Sequence, residues 1–327
     1  MREFRIAQPK TVEELAALLA ETKEKALIMA GGTDLIDELK SGVAAPDLVV
    51  DIQGVAGLAG ISRDKDGLRI GPMTTVAALA GSADVAREFP ILVEAALSLA
   101  TPQLRNAGTV GGNLCQRPRC WYYRDPATVC NKKGGARCFA FQGRNKYHAI
   151  FGGDGCFIVY PSDLAPALIS LGARVTIGSA RGDKVIRLED FYKPPSVDVT
   201  KENVLARDEF LKDVRVPAAK PGQKGTYIKL KERGTWDFAV ASAAVTGVVK
   251  GGVFSEISIV AGGLATVPWR MKRAEDILRG KPATEALVIQ AAGEALKDSS
   301  PLAENAYKKD LAAAAIKRAV LALVQPA

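Results

Sequence analysis

Five cysteines stand in a chain of 327 residues, and all of them fall between positions 115 and 156. Cys120, Cys130, Cys138 and Cys156 are separated by nine, seven and seventeen residues. Spacings this open match neither a compact zinc finger nor a ferredoxin run. An odd count in a large chain argues against a disulfide framework. Burial would account for Cys156, which opens an apolar run. It does not account for Cys130 and Cys138, which lie among Asn, Lys, Gly and Arg. Four thiolates can hold zinc or an iron–sulfur cubane, and spacing alone leaves both open. Eight cations share the segment: Arg117, Arg119, Arg124, Lys132, Lys133, Arg137, Arg144 and Lys146. Such a field would offset an anionic cluster or hold an acidic partner surface. His148 is the only histidine, so a His-rich metal site is excluded. Its expected role is to order the segment through hydrogen bonds, with ligating or tuning a cluster as the alternative.

Two glycine loops precede the cysteines. Gly31, Gly32 and Thr33 follow the apolar run ALIMA directly, and Gly108-Thr109-Val110-Gly111-Gly112-Asn113 forms the second loop. Glycines there can expose backbone N–H groups that cradle phosphate oxygens. Neither loop fits GxGxxG or GxxxxGKS/T, so no Rossmann or Walker site is indicated. Each loop alone reads equally well as a tight turn. Together they could grip a pyrophosphate from two sides. Asp34 and Asp163 stand where each could cap a helix, and Lys229 could be an ordinary strand charge.

The elements that must position these residues are partly readable. Thr11–Glu21 reads as a helix with a capping box from Thr11 and Glu14. ALIMA (26–30) and DLVVDI (47–52) read as strands, 67–81 as strand, turn and helix, and 89–100 as an apolar helix. CFIVY (156–160) is expected to be a strand and DLAPALISLGA (163–173) a helix. The run from Ala173 to Leu188 alternates like a hairpin. In 226–265 strands are expected around a helix-like stretch at 238–245, and helices are expected from Met271 onward. Apolar residues make up 48% and charged residues 24%, with a formal charge of +8. No nucleic-acid motif accompanies the charge, so nucleic acid is not an expected partner. No signal-like or membrane-spanning apolar run is present, which sets cytoplasm as the expectation.

IMAGGTDL (28–35) followed by LRNAGTVGGNL (104–114) resembles the flavin subunit of the molybdenum hydroxylases. That is the family of xanthine dehydrogenase, carbon monoxide dehydrogenase and aldehyde oxidoreductase. PSDLAPAL (161–168), YIKLKERGTWDFAVASAAV (227–245) and GGLATVPWRMKRAEDILRGK (262–281) continue the resemblance in order. It implies an α+β fold: a two-subdomain FAD-binding domain of the vanillyl-alcohol-oxidase/CO-dehydrogenase flavoprotein type, then a C-terminal α+β domain with an antiparallel sheet and helices. The implied boundaries are 1–176 (subdomains about 1–55 and 56–176, with an insertion about 115–156), a linker at 177–222, and 223–327.

The resemblance also implies a site. FAD would meet Ala30, Gly31, Gly32, Thr33, Asp34 and Leu35 in the first loop, and Thr109, Gly111, Gly112 and Asn113 in the second. Thr101 would approach the flavin, Asp163 the adenosine, Leu171 would offer an apolar backbone contact, and Lys229 would approach the isoalloxazine. LCQRPRCWYYRDPATVCNKKGG (114–135) is similar to an insertion that carries a 4Fe-4S cluster in a minority of the family. The implied ligands are Cys120, Cys130, Cys138 and Cys156, with Cys115 in place of Cys156 as the rival set. The implied function is a flavin and iron–sulfur electron-transfer subunit of a molybdenum-containing aldehyde oxidoreductase, with no catalytic acid, base or nucleophile beyond the flavin. Its partners would be a large molybdenum-cofactor subunit, a small subunit with two 2Fe-2S clusters, and an external acceptor such as ferredoxin, quinone, NAD or oxygen. The assembly would be αβγ or its dimer, with export beside a signal-bearing partner as the alternative to the cytoplasm. Other readings are a 4-hydroxybenzoyl-CoA reductase-like subunit with electrons flowing toward molybdenum, a self-contained FAD oxidase, and a zinc-stabilised binding module.

Overall fold

The computed structural model describes residues 1–324. The first 55 residues build a small parallel sheet. Strands β1 (Arg5–Ala7), β2 (Ala26–Met29) and β3 (Leu48–Asp51) take the order β1-β3-β2. Helices α1 (Val12–Glu21) and α2 (Leu35–Ser41) connect them. Thr11 Oγ1 accepts from Glu14 N at 3.1 Å, and the Glu14 carboxylate reaches back to Lys10 N at 2.6 Å. The capping box therefore forms, displaced by one residue on its acidic arm. Leu15 and Leu19 of α1 pack on Val50 and Ile52.

The second unit begins with β4 (Ile61–Asp64) and β5 (Gly67–Ile70). Five helices follow: α3 (Val76–Ala80), α4 (Ala83–Glu88), α5 (Pro90–Leu97), α6 (Pro102–Ala107) and α7 (Val110–Cys115). The cysteine segment then carries only the single turn α8 (Trp121–Arg124) and a 3-10 turn at Asn131–Lys133. Helix α9 (Leu164–Ser170) and strands β6 (Arg174–Gly178), β7 (Lys184–Arg187) and β8 (Phe210–Pro217) complete the unit. The five-stranded sheet runs β4-β5-β8-β6-β7, all antiparallel. The expected linker at 177–222 thus supplies two strands of this sheet. Its polar, proline-punctuated part is the loop between them, while FLKDVRVP is strand.

The last unit is an antiparallel sheet in the order β12-β11-β10-β9. Its strands are β9 (Gln223–Leu230), β10 (Ala241–Lys250), β11 (Val253–Gly262) and β12 (Trp269–Arg270). Helices α10 (Lys272–Leu278), α11 (Glu285–Glu294) and α12 (Lys308–Val324) follow, and α12 lies on β9 and β10. Two expectations fail here. The helix-like 238–245 stretch is not helical: from Ala241 on it is β10, whose first eight residues are all buried. A strand covered on both faces loses the alternation that identifies strands, and its Ala and Ser residues reflect close packing rather than helix. CFIVY is not a strand either. It is apolar because Cys156, Ile158 and Tyr160 are buried, not because it joins a sheet.

The units share cores. Tyr227, Ala244 and Val260 of the last sheet pack into the core of the second unit. Ile150 and Phe151 of the cysteine segment pack into the core of the last.

Candidate functional site

The two glycine loops touch. A Cβ at Gly31 would lie 1.8 Å from the Ala107 carbonyl oxygen, so only glycine lets the first loop meet the end of α6. Gly32 has φ +73°, a left-handed conformation that favours glycine. Among the described residues, the N–H groups from Gly31 to Leu35 have no protein acceptor. Five consecutive unspent donors make the concave backbone that binds anions. The second loop differs from expectation. Its residues 110–115 form α7, and its N–H groups are already used. Val110 donates to Thr74 O, Gly111 to Pro72 O, Gly112 to Thr109 Oγ1 and Asn113 to Thr109 O. Gly111 is needed because a Cβ there would meet Pro72 at 2.6 Å. The second loop thus offers close approach and side chains, and the first offers backbone donors. Thr101 caps α6 through Leu104 N. The preceding Ala100 is the one non-glycine among the described residues with positive φ, at 47°. Arg105 Nη1 holds its carbonyl at 3.1 Å.

Asp163 is 3% exposed and makes no helix cap. Ser162 Oγ performs that task for Ala165 N, while the Asp163 carboxylate accepts from Tyr227 OH at 2.6 Å and Lys229 Nζ at 2.7 Å. Lys229 also donates to Ser98 O at 3.1 Å. The two residues are one buried ion pair that joins α9 to β9. Residues expected at separate parts of the cofactor are thus in direct contact here. Burial, then the adjacent Asp163 charge, holds the Tyr227 hydroxyl well above its ordinary value, so it donates. Leu171 ends α9, half-buried against the same core.

Cys120, Cys130, Cys138 and Cys156 line one small cavity, and Cys115 does not. All five cysteines are free. No carboxylate lines the cavity. Among the described residues no group of three or more His, Cys, Asp or Glu is gathered to hold a single metal ion. The donor set is four soft sulfurs lining one small cavity, the kind of donor that zinc or an iron–sulfur cluster takes. Burial pushes the Cys120 thiol up to about 12 and the Cys156 thiol up to about 11. Buried thiols of this kind become thiolates only against a compensating cationic centre. Cys115 is pushed up to about 12 by burial alone, as an inert packed thiol is. His148 Nε2 lies 3.2 Å from Cys120 Sγ, and its Nδ1 is buried with no partner. Burial, then the Lys308 charge, pushes the imidazole down to about 4.

The cations of the segment are mostly spent on the chain itself. Asp34 accepts from Arg117 N at 2.7 Å, from Arg124 at 2.7 Å and from Arg119. Burial alone would raise the Asp34 carboxyl, but the Arg119 and Arg124 charges and the Arg117 N–H outweigh it and hold it below the ordinary value. Arg117 and Lys132 share Glu202. Arg144 pairs with Glu304, and Lys146 with Glu232. Of the eight, only Lys132 lines the sulfur cavity. The Asp34 clasp was invisible in sequence because its partners lie 83 to 90 residues away.

A larger cleft of about 540 Å³ adjoins the cavity. It is lined by Cys120, Trp121 and His148, by Tyr160 to Asp163, and by Asp237 to Val240. Its size suits a cofactor ring. Cys120 and His148 face both spaces.

A family model described as the FAD binding domain in molybdopterin dehydrogenase matches residues 2–219. The chain belongs to this family. A second model, the CO dehydrogenase flavoprotein C-terminal domain, matches residues 226–323 of this flavoprotein subunit. The subunit is 34% identical to the aldehyde oxidoreductase FAD-binding subunit PaoB of Escherichia coli, over 95% of each chain. It is 29% identical to the carbon monoxide dehydrogenase medium chain of Afipia carboxidovorans, over 97% of this chain and 95% of that one. Among solved structures, reconstituted CO dehydrogenase from Oligotropha carboxidovorans matches with a TM-score of 0.79 at 26% identity, covering 99% of each chain. The protein is thus the FAD-binding subunit of a molybdenum hydroxylase and part of an oxidoreductase. No helix among the described residues is long and apolar enough to cross a membrane.

Proposed function

We propose that this subunit carries FAD and a 4Fe-4S cluster and serves electron transfer in a molybdenum-dependent aldehyde oxidoreductase. The observation that carries the reading is the convergence of Cys120, Cys130, Cys138 and Cys156 on one cavity whose wall also faces the cleft beside Asp163. Likeness to PaoB supports the aldehyde branch. The first glycine loop would hold the FAD pyrophosphate with its unspent N–H groups from Gly31 to Leu35. Thr109, Gly111, Gly112 and Asn113 would approach it closely from the other side, and Thr101 and Leu171 would line its path. Asp163 and Lys229 act as a unit at one end of the cofactor. The four thiolates ligate the cluster, and Cys115 packs without ligating. FAD exchanges one or two electrons when bound, and the cluster exchanges one. The chain's own residues supply positioning and exclusion of water. A large molybdenum subunit and a small 2Fe-2S subunit would complete the assembly, with an external acceptor beyond it.

Anaerobic purification with iron, sulfide and flavin measured on one sample tests this. About four irons and one FAD per chain are expected. A yellow protein that binds zinc in place of iron would overturn the cluster while leaving the flavin. A colourless protein would overturn both.

A further inference from the structure

His148 is 3% exposed, yet its ring makes a single polar contact. The main chain around it does not depend on the imidazole. Its N–H donates to Asn145 O at 2.9 Å, and its carbonyl accepts from Asn305 Nδ2 at 3.0 Å. The ring is held by shape, edge-on to Trp121 with centroids 5.2 Å apart. The contact it does make is with Cys120 Sγ, at 3.2 Å. A ligating thiolate has no proton to give, so the contact is attractive only when Nε2 carries one. Nδ1, with no partner, then takes the role of unused acceptor. Cys120 and His148 together form the wall shared by the sulfur cavity and the cleft.

We propose that His148 is the positioning residue of the iron–sulfur site: its Nε2–H donates to the Cys120 sulfur, fixes that thiolate toward the cavity and favours the reduced cluster. The proposal rests on the cluster reading above. Its physical basis is that reduction adds negative charge to the sulfurs, and an N–H aimed at one of them stabilises the more negative state.

The test uses the full chain, purified anaerobically without a polyhistidine tag, as wild type, His148→Leu and His148→Gln. Iron, sulfide and FAD are counted, and the cluster is titrated by EPR. His148→Leu should keep its iron and FAD, while its reduction equilibrium shifts about tenfold toward the oxidised state, 59 mV for one electron. His148→Gln retains an N–H donor and should recover at least half of the shift. An iron-loaded His148→Leu that titrates with wild type overturns the proposal. So does a Gln variant that titrates with Leu. Should His148→Leu lose its iron, 15N-histidine labelling of wild type decides, because the chain has a single imidazole. A weak 15N coupling to the reduced cluster supports the hydrogen bond. No coupling, or the strong coupling of a directly bound nitrogen, overturns it. Wild type without iron overturns the cluster reading itself, whatever His148 does.

Discussion

Asp163 and Lys229 are nearly sealed from water, with side chains 5% and 4% exposed. Removing one charge from such a pair strands the other. Asp163→Asn should therefore destabilise the fold by about 3 kcal/mol and lower FAD occupancy. Urea unfolding and flavin content of the purified protein check this, and an unchanged urea midpoint would contradict it. Gly31→Ala has a different signature. Its new methyl strikes the Ala107 carbonyl, so the two glycine loops must part. FAD occupancy should fall more steeply than the melting temperature. At the cysteines, Cys156→Ser should lose iron while Cys115→Ser keeps it. The reverse pattern would restore the rival ligand set.

Asp34 joins the first glycine loop to the cysteine segment, with Arg124 also reaching Asp37 at 3.2 Å. Anything that loosens this clasp should weaken both halves. Asp34→Asn should reduce FAD affinity and speed proteolysis between residues 117 and 138, read by flavin titration and timed digestion. The pH sign follows from the depressed carboxyl. Its stabilising contribution is complete above the ordinary aspartate value of 3.8. It is lost as pH falls through the lower folded value. The elements of the fold were unequally legible in sequence. Helix α1 announced itself through its apolar period and capping box. Strand β10 did not, because burial on both faces erased its alternation. The four cysteines were readable as a set through their neighbours and the resemblance. The use of their surrounding arginines was not, since the acceptors sit on α2 and in a distant loop.

At the scale of the whole molecule, α12 supplies an unusual anchor. Lys308 is fully buried and donates to Tyr147 O and Gly263 O, both at 2.8 Å. Burial pushes its amine down to about 7. The unfolded chain binds this proton more tightly than the folded one, so Lys308 makes stability rise as pH climbs above 7. Urea midpoints should increase between about pH 7 and 8.5, before exposed thiols titrate in the unfolded chain. The increase should flatten in Lys308→Met.

The same anchor bears on how the protein is made. The cysteine segment is fastened by residues encoded more than 140 positions later. Glu304 and Asn145 hold each other's backbone N–H, Asn305 holds the His148 carbonyl, and Lys308 holds that of Tyr147. A chain synthesised from its N-terminus presents all five thiols long before those clamps leave the ribosome. Until then the 145–148 stretch, whose His148 lines the sulfur cavity, lacks its tethers. The cysteines therefore remain reachable for most of translation, and if the proposed cluster is built there, delivery of its iron and sulfide has a natural deadline set by the emergence of residues 304–308.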